Sequence, residues 1–239
     1  DTTAVPVREE APRAAVAYDA ASDIMTEVFE LVRQGRRLDV APVRDAAGPL
    51  VDSMERNENA MAWLVFLRKR AVQSWQYSVA GAVWAVMLGR HLGLERHRLE
   101  NLAVGGMLLD IGEARIPPSV LFREDTLDAI DQRIIQKHVE AGLSIVRATP
   151  GVNADMLAMI EYHHERHDGS GYPKGVAGDA IPVLGRVAGI VDCFDAMTTR
   201  RPHAAARSPY DAVRELNSLA GVHFQRELVE RFVEALGMF

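Results

Sequence analysis

One cysteine, Cys193, stands in 239 residues. No internal disulfide can therefore brace the fold, and the chain suits a reducing cytoplasm. Cys193 itself reads as a buried small hydrophobe rather than a reactive thiol. Long apolar runs are missing too: stretches such as Trp63–Leu67 fall far short of the ~20 residues that cross a bilayer. No block of Lys/Arg interrupts the chain, and a formal net charge of −6 argues against DNA as a partner, leaving room only for a local phosphate pocket. No period-2 alternation and no internal repeat is visible, so sheet and solenoid architectures are excluded. No signal peptide is visible, and the first residue is Asp1 rather than Met, which reads as a piece of a longer protein.

What remains is an ordinary globular balance, 48% hydrophobic and 25% charged, long enough for a substantial core. Residues 1–13 carry two prolines and scattered charges and read as a loose tail. Helical spacing of Val16, Ile24, Val28, Leu31 and Val32 predicts a helix to Gln34, stopped at Gly35. Pro42 then opens a segment to about Arg56, and Asn57 caps another through Met61–Arg70. The length allows one large domain, or one domain plus a small helical extension. The segment Ser74–His91 is apolar on most sides, as a central buried helix would be. Further helices are expected at 95–109, 127–148, 153–166, 183–198, 209–219 and 225–236. Met25, Trp63, Trp84 and Met87 take core positions. The fold is predicted to be all-α, a multi-helix bundle whose site would be built from side chains on facing helices.

Candidate chemistry gathers on a few of those helices. Asp110, His138, His163, His164 and Asp192 are the hard and borderline donors that a divalent centre needs. Each alone is weak, since a single His on a helix is commonly a capped or solvated residue. Asp192 and Asp195 could equally pair with Arg186 or Arg200. His167 reads as a loop contact, and the His163–Asp168 run is not a zincin motif, because Asp168 stands where that motif needs His.

Order and spacing together resemble the HD-GYP family, the metal-dependent phosphodiesterases of cyclic di-GMP. The segment Leu108–Pro117 resembles that family's His-Asp turn, with Asp110 in register. His138 matches its lone histidine, His163 and His164 its paired histidines, Gly171-Tyr172-Pro173 its naming motif and Asp192 its late aspartate. His223-Phe224 resembles the His-Phe before its last helix. The resemblance implies an HD-GYP-like domain over 61–239, an N-terminal helical extension over 14–60 before it, and a metal centre. The departures fall on chemistry. Gln73, Tyr77 and Leu109 stand where the family places metal ligands, and Glu113 replaces its lysine. Leucine has no lone pair, a phenol is a poor substitute for imidazole, and a carboxylate at 113 repels phosphate.

By that resemblance, Asp110, His138, His163 and His164 could hold one divalent ion (iron, manganese, zinc or nickel), or none, with Asp192 a further ligand. The expected function is a catalytically impaired signalling module that binds cyclic di-GMP or a related nucleotide. Gly171–Pro173 would alternatively grip a protein partner such as a diguanylate cyclase domain. Arg200 and Arg201 are candidates for phosphate pairing or for capping the preceding helix. A slow one-metal phosphodiesterase and a structural or dimerisation scaffold are the competing readings.

Overall fold

A computed structural model describes residues 5–68, 78–200 and 205–237. Gln73, Tyr77 and Arg201 lie outside them. Among the described residues there is no strand, and helices account for the architecture. No helix among them is long and apolar enough to cross a membrane.

The first helix, α1 (Val7–Arg33), begins inside the stretch expected to be a loose tail. What fixes it is tertiary. The fully buried Glu10 accepts hydrogen bonds from Ser53 Oγ (2.8 Å) and from Arg56 Nε and Nη2 (both 2.7 Å). The Val5 N–H donates to the Arg56 carbonyl at 3.2 Å. Pro12 is simply carried within the helix. From Ala14 onward α1 buries one stripe, Ala17, Tyr18, Ala21, Met25, Val28, Phe29 and Val32, at the spacing of one helical face.

That stripe packs on α2 (Ala41–Arg68). Asn57 breaks α2 with an extended backbone (φ −162°, ψ 101°), and its side chain accepts the Ala60 N–H at 3.1 Å, as a helix cap does. Trp63 differs from expectation. It is 56% exposed, beside Leu67 at 53%, because α2 buries Leu64 and Val65 instead.

The helix α3 (Ser78–His91) is the centre, buried at every position from Val79 to Gly89. Its Trp84 meets Phe66 and Phe194 with ring centroids 5.1 and 5.4 Å apart, and Phe194 meets Phe232 at 5.2 Å. The Trp84 indole N–H donates to Asp195 at 3.1 Å. Asp195 is therefore a satisfied core acceptor, and Arg186 goes elsewhere, to Asp179 and Gln225.

Around α3 lie α4 (Arg96–Met107), a 3-10 turn (Ile111–Arg115), the short α5 (Pro118–Leu121), α6 (Ala129–Gln136), α7 (His138–Val146), α8 (Ala154–Tyr162), α9 (Val183–Thr198), α10 (Pro209–Leu219) and α11 (Arg226–Ala235). The helix expected over 127–148 is two: α6 ends at Gln136, where the Ile135 carbonyl is taken by the His138 ring, and α7 restarts at His138. The one expected over 95–109 stops at Met107 and turns through Leu108 into Asp110. Buried side chains from α1 and α2 join those of the later helices in one continuous core.

Removing Arg56 leaves the buried Glu10 carboxylate, for a cation, only the longer Arg13 contact at 3.8 Å. Arg56→Ala is expected to cost about 3 kcal/mol in urea unfolding at pH 7. The Arg56 hydrogen bonds hold the Glu10 carboxyl below its ordinary value of 4.5, so this stabilisation exists above that pH and is lost as pH falls. The gap between variant and parent should therefore narrow below about pH 4.5. An equal gap at pH 7 and pH 3.5 would show that the ion pair is not its source.

Candidate metal centre

Four side chains from three helix ends converge. Asp110 follows α4 at the start of the 3-10 turn, His138 opens α7, and His163 and His164 follow α8. Each offers a ligand atom, and these atoms lie within 4.8 Å of one another. The turn carrying Asp110 is pressed onto α7 at Gly112, where any Cβ would overlap the His138 carbonyl oxygen.

The ring geometry is fixed by backbone carbonyls. His138 Nδ1–H donates to the Ile135 carbonyl at 2.8 Å, and His163 Nδ1–H to the Ile160 carbonyl at 2.9 Å. Both carbonyls belong to C-terminal turns, which leave such acceptors without helical partners. A carbonyl can only accept, so each Nδ1 carries its proton and each Nε2 turns a lone pair inward. The two Nε2 atoms are 3.2 Å apart and lie 3.3 and 3.6 Å from Asp110 Oδ1. Three acceptors facing one point repel unless a proton or a cation sits among them. Orienting ligand imidazoles through the other ring nitrogen is how metal sites are commonly braced. The donor set, three imidazoles and one carboxylate, fits a divalent transition metal.

Burial is uneven. His163 and His138 are 0% and 3% exposed, whereas the Asp110 side chain is 31% exposed, so the cluster opens on the Asp110 side. Burial pushes the His138 imidazolium down, but the hydrogen bond and charge of Asp110, with a smaller push from Glu113, lift it to about 9. Burial raises the Asp110 carboxyl, and the hydrogen bonds and charges of His138 and His163 outweigh it, leaving it well below the usual carboxylate range. Burial and the neighbouring charges of His163 and His138 hold His164 well below 6.5, so that ring is neutral.

The other expected residues fall around this cluster. Asp192, on α9, places Oδ2 3.9 Å from His164 Nδ1, outside the set of four. Tyr172 lies flat on His164, centroids 4.6 Å apart at 22°, while Gly171 and Pro173 flank it in the loop. Leu109 is 5% exposed in the apolar core beside Asp110. Glu113 lines a shallow apolar cleft with Phe29 and Arg33 of α1 and Phe122. Arg200 is exposed just past α9. His167 is a loop contact, its N–H donating to the His223 carbonyl at 2.8 Å. Glu165 was passed over in the sequence, yet it is buried, and its two oxygens accept backbone N–H groups of the following loop. A charged residue directly after paired histidines was the available signal.

Residues 59–228 match the HD domain family. The chain is similar to a cyclic di-GMP phosphodiesterase of Pseudomonas aeruginosa, 28% identical over 235 residues, which are 98% of this chain and 56% of that one. A 3'3'-cGAMP-specific phosphodiesterase of Vibrio cholerae is 34% identical over 64% of this chain and 30% of its own length. A cyclic di-GMP phosphodiesterase of Thermotoga maritima is 32% identical over 62% and 40%. The chain thus spans about half or less of these relatives. An HDG"Y"P protein from Bdellovibrio bacteriovorus shares the fold, with a TM-score of 0.75 at 19% identity, covering 99% of this chain and 74% of that one.

Two outcomes are expected of the cluster. In metal-free protein, the stability that the His138–Asp110 pair contributes is fully present below the unfolded-state value of 6.5 and is lost as pH rises through about 9. An entering ion must displace that proton, so apparent affinity for nickel should rise about tenfold per pH unit between 6.5 and 8.5. Calorimetric titration of chelator-stripped protein measures this, and a flat profile contradicts it. Gly112→Ala should weaken nickel binding tenfold or more, since the turn carrying Asp110 must move off α7. Unchanged affinity would detach the turn's seating from the site.

Proposed function

Because the chain belongs to the HD domain family, in its HD-GYP branch, we propose that it is a catalytically impaired signalling module that keeps one metal position and has lost the other. The observation that carries this is the contrast at two adjacent residues. Asp110 faces three imidazoles, and Leu109, in the place resembling the family's histidine ligand, is packed into the apolar core. In this reading Asp110, His138, His163 and His164 hold one divalent ion, with Asp192 a further ligand from the side of His164.

A bound ion supplies a lowered pKa for a coordinated water, but one ion alone lacks the bridged nucleophile and the second charge clamp of a paired centre. The chain's own groups support binding better than turnover. Asp110 opens the cluster to solvent, and Tyr172 offers a flat face over His164. Arg200, and Arg201 outside the described residues, would pair with the phosphates of a cyclic dinucleotide such as cyclic di-GMP. Glu113 places a negative charge on the turn beside the cluster, which discourages a bound anion from closing on it. The Gly171–Pro173 loop could instead seat a protein partner, a diguanylate cyclase domain being the one the family suggests.

The exposure of Asp110 favours a second reading, slow phosphodiester hydrolysis on the single ion. Elemental mass spectrometry and nucleotide turnover separate the two. Purified protein should carry about one ion per chain, fall to near zero in Asp110→Ala, and bind cyclic di-GMP without measurable turnover. Metal-dependent turnover that His163→Ala abolishes would replace the first reading with the second. Restoring imidazoles in Leu109→His/Tyr77→His should raise metal content towards two ions and bring turnover to at least a hundredfold above the detection limit of the assay. Two ions in the parent chain would overturn the assignment of lost ligands.

A further inference from the structure

Three imidazoles meet at the cluster, but they are not held alike. His138 and His163 are each pinned by a carbonyl. Among the described residues no carbonyl accepts from the His164 ring. It is held by a face, the Tyr172 ring stacked on it at 4.6 Å. The His163 ring lies 4.1 Å away on the cluster side and Asp192 Oδ2 stands 3.9 Å from Nδ1, and the loop that carries Tyr172 covers a further face of the ring.

That loop is fixed from one buried point. Glu165, 3% exposed, accepts the Lys174 N–H on Oε1 at 2.7 Å and the Val176 N–H on Oε2 at 3.2 Å. Both carboxylate oxygens are spent on amides of the same loop, with the strength that ionised acceptors give. The loop then returns over its own root. The Tyr172 N–H donates to the His164 carbonyl at 3.1 Å, and Gly171 passes so close to Glu165 and Arg166 that no Cβ fits. The Lys174 side chain turns away, to Glu161 at 2.6 Å and across the Tyr162 ring, so it does not share the task.

We propose that Glu165 is a positioning residue for His164: it clamps residues 174–176 so that Tyr172 lies flat on the imidazole and sets the one orientation in which that ring can join the ion. This rests on reading the four-residue cluster as a metal centre.

Glu165→Gln keeps the volume but presents an NH₂ group where a loop N–H needs an acceptor. Amide exchange at Lys174 and Val176 should quicken at least tenfold, with or without metal. Cobalt(II) affinity should fall about tenfold, the loss usual for a partner that orients a ligand, and the cobalt absorption spectrum should change. Tyr172→Ala should reproduce the affinity loss while Tyr172→Phe, which keeps the stack, retains parental affinity. Lys174→Met should stay within twofold of the parent. Faster loop exchange with unchanged cobalt affinity and spectrum in Glu165→Gln would overturn the proposal. So would unchanged affinity in Tyr172→Ala, which also serves if Glu165→Gln does not fold. If the parent binds no cobalt, the metal reading fails by itself. The His164 ring nitrogen resonances of metal-free protein then decide: a shift in Glu165→Gln upholds the clamp, and no shift overturns it.

Discussion

Two imidazole nitrogens face each other at 3.2 Å beside the Asp110 carboxylate, an arrangement on which the candidate centre depends. Each is forced there by its own ring proton, which the carbonyl three residues earlier in the chain has already claimed. The cluster is therefore poised for a positive charge before any ligand arrives, and the Asp110 carboxylate beside the rings raises the His138 imidazolium above its ordinary value. Much of the surrounding fold serves to bring those two helix ends together. α7 must start where α6 stops, α8 must end at Tyr162, and the turn bearing Asp110 must press against α7 closely enough to exclude a side chain at Gly112.

The interior behind the cluster is arranged around α3, whose Trp84 meets rings from the second and ninth helices, with Phe232 of the eleventh packed on Phe194. That helix supplies no member of the metal group among the described residues. Its contribution is indirect, since α4, which delivers Asp110, and α9, which carries Asp192, both lean on it. Stability and chemistry are thus divided between helix middles and helix ends, the usual economy of a bundle.

The all-α class and the break at Asn57 were legible because they rest on local rules, 3.6-residue periodicity and a capping side chain. The convergence of Asp110, His138, His163 and His164 was legible only as an ordered pattern, since no single one of them is distinctive. What escaped was whatever depends on a distant partner. Glu10 looked like a charge in a polar tail because Ser53 and Arg56, which make its burial tolerable, lie some forty residues later. Trp63 looked like core because hydrophobicity alone does not say which face of α2 turns inward. The division at Lys137 was invisible because it follows from a ring claiming a backbone carbonyl, a competition that residue propensities do not register.

The buried carboxylate of Glu10 has a consequence for how such a bundle could be moved between proteins. Its partners sit on α2, and the stripe from Ala14 to Val32 feeds the same core as the later helices. Gene rearrangement that transplanted only the part from about residue 61 onward would strip apolar cover from that core and carry away the helix on which the turn behind Asp110 rests. A cut at about residue 61 would thus leave an apolar face, now covered by Ala14 to Val32, open to solvent beside the centre.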